Sequence, residues 1–105
     1  MPIVEIYARR PRSRVLVADI PGPLSTALGC SPGDVWVYVV DVDLTGTGDD
    51  ADCGARVLIR GAPRDDVSPA LQAVAQAVAA AQGDAVDRVW VGWVDILPGR
   101  SLGPA

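Results

Sequence analysis

The segment DVWVYVVDV at positions 34–42 returns as RVWVGWVDI at positions 88–96. Val35, Trp36, Val37, Val40 and Asp41 match Val89, Trp90, Val91, Val94 and Asp95. A second echo lies upstream of each, where ARRPRSR at 8–14 resembles RGAPRDD at 60–66 and Pro11-Arg12 matches Pro63-Arg64. Trp36 to Trp90 is 54 positions and Pro11 to Pro63 is 52. Two nearly equal spacings mean one unit used twice, with about two residues gained inside the second copy. The units are expected at 2–47 and 54–101, within a single domain over 1–105.

Each copy reads as strand, helix, strand. Residues 4–8 and 57–60 are short, apolar or β-branched, and bounded by turn residues. Residues 35–42 and 89–96 are the stronger strands. In the second copy Val67, Leu71, Val74 and Val78 recur at helical spacing on one face. Ser68 before Pro69 suits an N-cap and first turn, and Gly83 suits the stop. The first helix carries Pro21 and Pro23, and each proline removes a backbone donor and crowds the preceding turn. A kinked or split helix is expected, over 15–20 and then 23–28, with a short strand at 15–18 as the alternative. Positions 31–34 read as a turn, and the polar, glycine-rich stretch 44–54 as the loop between the copies.

The expected fold class is therefore α/β of the α+β kind: two tandem β-α-β units forming a four-stranded sheet with two helices on one face. The other sheet face would present Val, Trp and Tyr to water, an apolar patch large enough to call for cover by further subunits. With 105 residues and no Phe, the core is expected from Val, Leu, Ile and Ala, with Trp36, Trp90 and Trp93 as its bulky members.

The absence of His excludes Ser-His and Cys-His nucleophilic machinery and the usual zinc ligand sets. Net charge is −4, so no general nucleic-acid or membrane surface is expected. No run is long or apolar enough to span a membrane. Cys30 and Cys53, without a secretion signal, suggest free thiols in a reducing cytoplasm. All nine basic residues are Arg, which suits two-pronged contact with carboxylates.

Residues 2–42 resemble the opening half of the 4-oxalocrotonate tautomerase family. The features that carry the resemblance are Pro2 directly after Met1, the strand IVEIY, Arg12-Ser13 at the helix start and Leu28-Gly29 at its end. Pro32, Asp34 and the strand Val35-Trp36-Val37 complete it. Residues 54–96 resemble it only as the duplicated copy. The two-unit layout is similar to the branches of macrophage migration inhibitory factor, malonate semialdehyde decarboxylase and cis-3-chloroacrylic acid dehalogenase. The resemblance implies a four-stranded mixed sheet, a homotrimer, a small carboxylate substrate, and neither metal nor cofactor.

It also implies roles for particular residues. Met ahead of a small second residue is normally excised, leaving Pro2 as a secondary amine. An ordinary α-amine titrates near ~8, and burial beside arginines lowers that value, so Pro2 is the expected catalytic base. The resembling family polarises a substrate carboxylate with an arginine at the place of Arg12, and Arg64 is its equivalent in the second copy. Arg9 matches a second arginine used by the chloroacrylic acid dehalogenase branch, and Arg60 stands one residue from its counterpart. Arg64 and Arg60 are favoured over Arg12 and Arg9. The implied activity is an isomerase of the tautomerase kind, moving a keto–enol proton on a small 2-oxo or 2-hydroxy-dienoate acid. Two alternatives stand beside it. One is a proline-dependent dehalogenase, hydratase or decarboxylase of a three-carbon acid, with Asp41, Asp43 or Asp95 activating water. The other is a non-catalytic trimeric scaffold of the same fold.

Overall fold

The computed structural model describes residues 2–43, 45, 46, 48 and 53–96. Most of the joining loop and the end of the second unit, both expectations from the repeat, lie outside the described residues. In chain order the elements are β1 (Ile3–Ala8), α1 (Ser13–Asp19), α2 (Pro21–Leu28), β2 (Trp36–Asp41), β3 (Arg56–Gly61), α3 (Ser68–Gln82) and β4 (Trp90–Asp95). A single 3-10 turn leads into each of the later strands of the two units, Pro32–Asp34 before β2 and Val86–Arg88 before β4.

The strands form one sheet in the order β2-β1-β3-β4. β1 pairs parallel with β2, β3 pairs parallel with β4, and β1 and β3 meet antiparallel at the centre. The expected α+β architecture is thus observed: two β-α-β units, one four-stranded mixed sheet, and the helices on one face. That face is set by the period of two in the strands. Val4, Ile6 and Ala8 of β1 and Val57, Ile59 and Gly61 of β3 are buried, while the residues between them are not.

The first helix breaks between Ile20 and Pro21. Pro21 opens α2 at its first position, where a missing N–H costs least. The chain stays helical across the break because the residues flanking the prolines still donate. Ile20 N–H bonds the Leu16 carbonyl and Leu24 N–H bonds the Ile20 carbonyl, each at 3.2 Å. The strand alternative at 15–18 is overturned. Leu16, Ile20 and Leu24 stand four apart and are fully buried, whereas Val15 and Val17 face solvent. A strand would have buried alternate residues; a helix buries this stripe.

α3 begins one residue earlier than its cap signal suggests. Val67, not Ser68, is the N-cap, and the Ser68 N–H is bound by the Asp66 carboxylate at 3.0 Å. Its buried stripe is Ala70, Val74, Val78 and Ala81, so the packed face is centred between the expected residues, with Leu71 at its flank. Leu16, Ile20, Leu24, Val74 and Val78 press on Val4, Ile6, Val57 and Ile59 to make the core. Each such side chain contributes roughly 1.5–3 kcal/mol by leaving water. Of the three tryptophans only Trp93 packs against this core. Trp36 and Trp90 are 47% and 56% exposed on the opposite face, with Tyr38 and Val40. The expectation that all three would be core members fails because 36 and 90 have the wrong parity in their strands.

Both long helical segments end at a glycine in the left-handed region, Gly29 at φ 72 and Gly83 at φ 68. Gly83→Ala or Gly29→Ala forces a Cβ into that conformation and should cost about 1–2 kcal/mol each. Urea unfolding of the two variants checks this through the midpoint at unchanged slope.

Candidate active site

Pro2 stands at the head of β1. It is buried, and its carbonyl accepts the Trp36 N–H at 3.0 Å, continuing the β1–β2 ladder. Because β1 and β3 are antiparallel, with Ile3 opposite Arg60, the start of β1 lies beside the end of β3 and the loop that leaves it. That loop carries Ala62 and Arg64. With Pro2 and Gly61 they line a cavity of about 160 Å³. Leu28 and Cys30, at the end of α2, and Trp93 of β4 close it. The volume is close to the ~150 Å³ of an apolar cavity that admits benzene, so it suits a small ligand.

Arg64 is exposed, and its Nη1 donates to the Leu28 carbonyl at 3.2 Å. A cation at the last carbonyl of α2 is favoured by the helix dipole. One contact leaves the rest of the planar fork of N–H donors without a recorded partner among the described residues. A buried proline and an anchored guanidinium therefore share one small, mostly apolar cavity.

The other three arginines lie elsewhere. Arg60 points from β3 to the helix-free face, where its Nε meets Glu5 Oε2 at 2.8 Å. The Tyr7 hydroxyl donates to the other Glu5 oxygen at 3.1 Å. The hydrogen bond from Arg60 holds the Glu5 carboxyl below its ordinary range, and Glu5 in turn raises Arg60. Arg12 is exposed at the N-cap of α1, with its backbone N–H bound by the Gln82 side chain at 2.8 Å. Arg9 follows β1. Both stand at the far end of β1 from Pro2, a strand of six residues and so about 20 Å away. Within one chain the structure brings together Pro2 and Arg64, and it does not bring Arg60, Arg12 or Arg9 to them.

The two sheet ends are equivalent in backbone. Trp90 N–H bonds the Ala55 carbonyl at 2.9 Å as Trp36 N–H bonds that of Pro2. Ala55 thus takes the place of Pro2 in the second unit, but inside the chain. Among the aspartates, Asp41 accepts the Arg10 N–H at 3.3 Å at the far end, and Asp95 accepts the Trp93 indole N–H at 2.9 Å. Gly61 pairs with Asp95 in the β3–β4 ladder, so Asp95 is the candidate carboxylate at the Pro2 end. Leu28, Cys30, Gly61, Ala62 and Trp93 were not anticipated as cavity residues. The signal for Trp93 was available: it is the bulky residue that the repeat places where Val39 stands in the first copy. A larger cavity, about 580 Å³, opens on the helix-free face beside Tyr7, Cys53, Arg56 and Leu58. It is remote from Pro2 and belongs to the uncovered sheet surface. No group of acidic or cysteine side chains able to hold a metal occurs among the described residues. No described helix is long and apolar enough to cross a membrane.

Neither a family model nor a curated protein matches the sequence. Solved structures do. A wild-type fused 4-OT, a symmetric trimer, superposes with a TM-score of 0.82 at 19% identity, over 98% of this chain and 91% of that one. Macrophage migration inhibitory factor from Toxoplasma gondii gives 0.75 at 17% identity, over 96% and 95%. Malonate semialdehyde decarboxylase gives 0.72 at 17% identity, over 97% and 91%. The chain has the tautomerase-superfamily fold. At these identities the likeness is one of backbone, and the tautomerase fold supplies the frame on which the Pro2–Arg64 cavity sits.

The Glu5–Arg60 pair has a pH signature. The lowered carboxyl binds its proton more weakly in the folded chain than in the unfolded one. Its contribution is complete above the ordinary glutamate value of 4.5 and is lost as pH falls through the lowered folded value. Stability curves should therefore fall less steeply below pH 4.5 in Glu5→Gln than in the parent. Parallel curves for the two proteins would remove the pair from the acid transition.

Proposed function

We propose that the chain belongs to the tautomerase superfamily and is a proline-based isomerase acting on a small 2-oxo or 2-hydroxy-dienoate carboxylate. What carries the reading is that Pro2 and Arg64 line one cavity. Once Met1 is removed, the Pro2 nitrogen is a secondary amine. Burial and a neighbouring cation both disfavour its protonated form, so it is neutral, and basic, closer to pH 7 than an ordinary α-amine. It takes the hydroxyl proton of the dienol as the electron pair moves through the conjugated system, and returns that proton to a carbon to give the ketone. No atom is gained or lost. The Arg64 fork pairs with the substrate carboxylate and stabilises the dienolate formed between the two transfers. The apolar wall keeps that charge pair away from bulk water, where it would be screened.

A homotrimer is part of the same proposal. Trp36, Tyr38, Val40 and Trp90 leave a broad apolar face on the helix-free side, larger in character than a monomer usually tolerates. Fused 4-OT neighbours are described as trimers. Cover by two further copies would bury this face and bring Arg60 of the covered surface into an interface. The expected mass by sedimentation is that of three chains. Tyr38→Asp, which puts a charge in that face, should shift it toward one chain at micromolar concentration.

The hydratase, dehalogenase or decarboxylase reading is the runner-up, and one observation favours it: Asp95 stands at the Pro2 end of the sheet. A neighbour of the same fold is described with decarboxylase and hydratase activities. Assay of 2-hydroxymuconate against 3-haloacrylates and malonate semialdehyde separates the two.

Intact mass comes first, since retained Met1 would acylate Pro2 and leave no amine. On the processed chain Pro2→Ala should lower kcat by about 10²–10⁴-fold. Arg64→Gln should raise KM by roughly 10–100-fold, the loss of a charged hydrogen-bonded contact. Equal turnover in parent and Pro2→Ala would end the proposal.

A further inference from the structure

The two ends of the sheet share a backbone but not their side chains. The last pair of the first parallel ladder is Ala8 with Asp41, and of the second Gly61 with Asp95. Two residues before the aspartate stands Val39 in β2 and Trp93 in β4. One end thus carries a small side chain beside valine, and the other carries none beside tryptophan. The substitution of Gly for Ala is what admits the ring. A Cβ built on Gly61 would lie 2.7 Å from both Cη2 and Cζ2 of Trp93. The indole therefore lies against the bare backbone of Gly61, where no larger residue could stand without moving it. The same edge of the ring is tied down, because Nε1 donates to Asp95 Oδ1 at 2.9 Å. The ring fixed in this way is a wall of the cavity that holds Pro2 and Arg64.

We infer that Trp93, seated by Gly61 and tethered by Asp95, is a positioning residue that keeps water off the Pro2 nitrogen. The inference rests on the reading of Pro2 as the working amine. Three observations join in it. On the helix-covered face of the described residues the bulky ring occurs at one end of the sheet only, that end is the one where a prolyl nitrogen can be free, and the glycine that makes room for the ring itself lines the cavity. Gly61 has an ordinary extended backbone, and Ala8 occupies the corresponding rung without strain, so conformational freedom does not explain the glycine there. Space for the indole does. Water excluded by the ring strengthens the influence of the Arg64 charge on the amine, because the same separation counts for more in a drier medium. An acid seated here would set its apolar body against Leu28 and Ala62 and its carboxylate toward Arg64.

The test reads the amine directly. With proline labelled in the nitrogen and processing verified by mass, the Pro2 titration is followed by NMR without substrate. Trp93→Ala should move the titration alkaline by about one pH unit, toward an ordinary α-amine. Gly61→Ala, which displaces the ring while leaving it in the chain, should move it the same way. Trp93→Phe, which keeps a ring but loses the bond to Asp95, should restore most of the parent value. In the Trp93→Ala background Gly61→Ala should add nothing, since the glycine acts only by making room for the ring. The acid limb of kcat/KM should follow the titration. The effect is separable from folding, because Gly61→Ala and Trp93→Phe are small changes whose melting curves can be compared with the parent. An unmoved titration in Trp93→Ala and Gly61→Ala, or additive effects in the double variant, would overturn the inference while leaving the Pro2 mechanism standing. A shifted titration together with full turnover in Pro2→Ala would do the reverse. Retained Met1 would remove both.

Discussion

The antiparallel contact of β1 with β3 is the constraint on which the rest depends. Each β-α-β unit alone is a pair of parallel strands under a helix, too small to bury both strands. Joining the two through their first strands places four strands in one sheet and puts Val4, Ile6, Val57 and Ile59 beneath both helices. The direction of the joint matters as much as its existence. Antiparallel pairing sets the beginning of one unit against the end of the neighbouring strand in the other, so the chain start and the β3–α3 loop become neighbours. With a parallel joint Pro2 would have faced the start of β3, where Ala55 and the backbone of Arg88 lie. The Pro2–Arg64 cavity is thus a consequence of topology first and of side chains second.

The same joint explains what the sequence made legible. Local rules are local in cause. A proline lacking an N–H must break or open a helix, so the split near Pro21 followed from composition alone, as did the glycine stops at Gly29 and Gly83. The repeat fixed two similar units by simple matching. Strand order could not be read in this way, because the strongest strands, β2 and β4, lie at the edges and the shorter β1 and β3 at the centre. Hydrophobic strength reports burial summed over both faces, and here the edge strands carry their excess apolar residues on the uncovered side. Trp36 and Trp90 were misplaced for that reason. Among the arginines, Arg64 was singled out through its place in the repeat, and it lines the cavity with Pro2. Arg60 was chosen as the neighbour of Gly61, the counterpart of Arg9, yet adjacent residues in a strand face opposite sides of a sheet, and that alternation sends Arg60 to Glu5.

The helix-free face combines exposed aromatics with one polar cluster. Glu5, Arg60 and Tyr7 lie across the two central strands, and Arg56 stacks 5.4 Å from the Trp90 ring. In a single chain the Glu5–Arg60 pair is half in water and worth little. Covered by another copy, the same pair would be withdrawn from solvent, and its cost would be offset only if both partners kept their hydrogen bonds. The Tyr7 hydroxyl on the second Glu5 oxygen supplies one of those bonds in advance. An apolar surface with one fixed polar group at its centre admits fewer docking registers than an apolar surface alone, since most registers would strand the carboxylate.

A duplicated unit offers two equivalent places for chemistry, but a chain has only one amino terminus. The backbone treats Pro2 and Ala55 alike, each accepting the first N–H of the following strand. On the proposed reading only Pro2 can have its nitrogen freed by processing, and only that end would gain from a drier cavity. The contrast between Gly61 with Trp93 and Ala8 with Val39 follows the same division. At the far end Gln82 of α3 binds the Arg12 backbone. Arg12 and Arg64 hold equivalent places in the repeat, yet only Arg64 shares a cavity with Pro2. Symmetry of backbone therefore gives no symmetry of side chains here: the equivalent of Pro2 is an internal alanine, and the ring that walls the Pro2 cavity has only a valine as its counterpart.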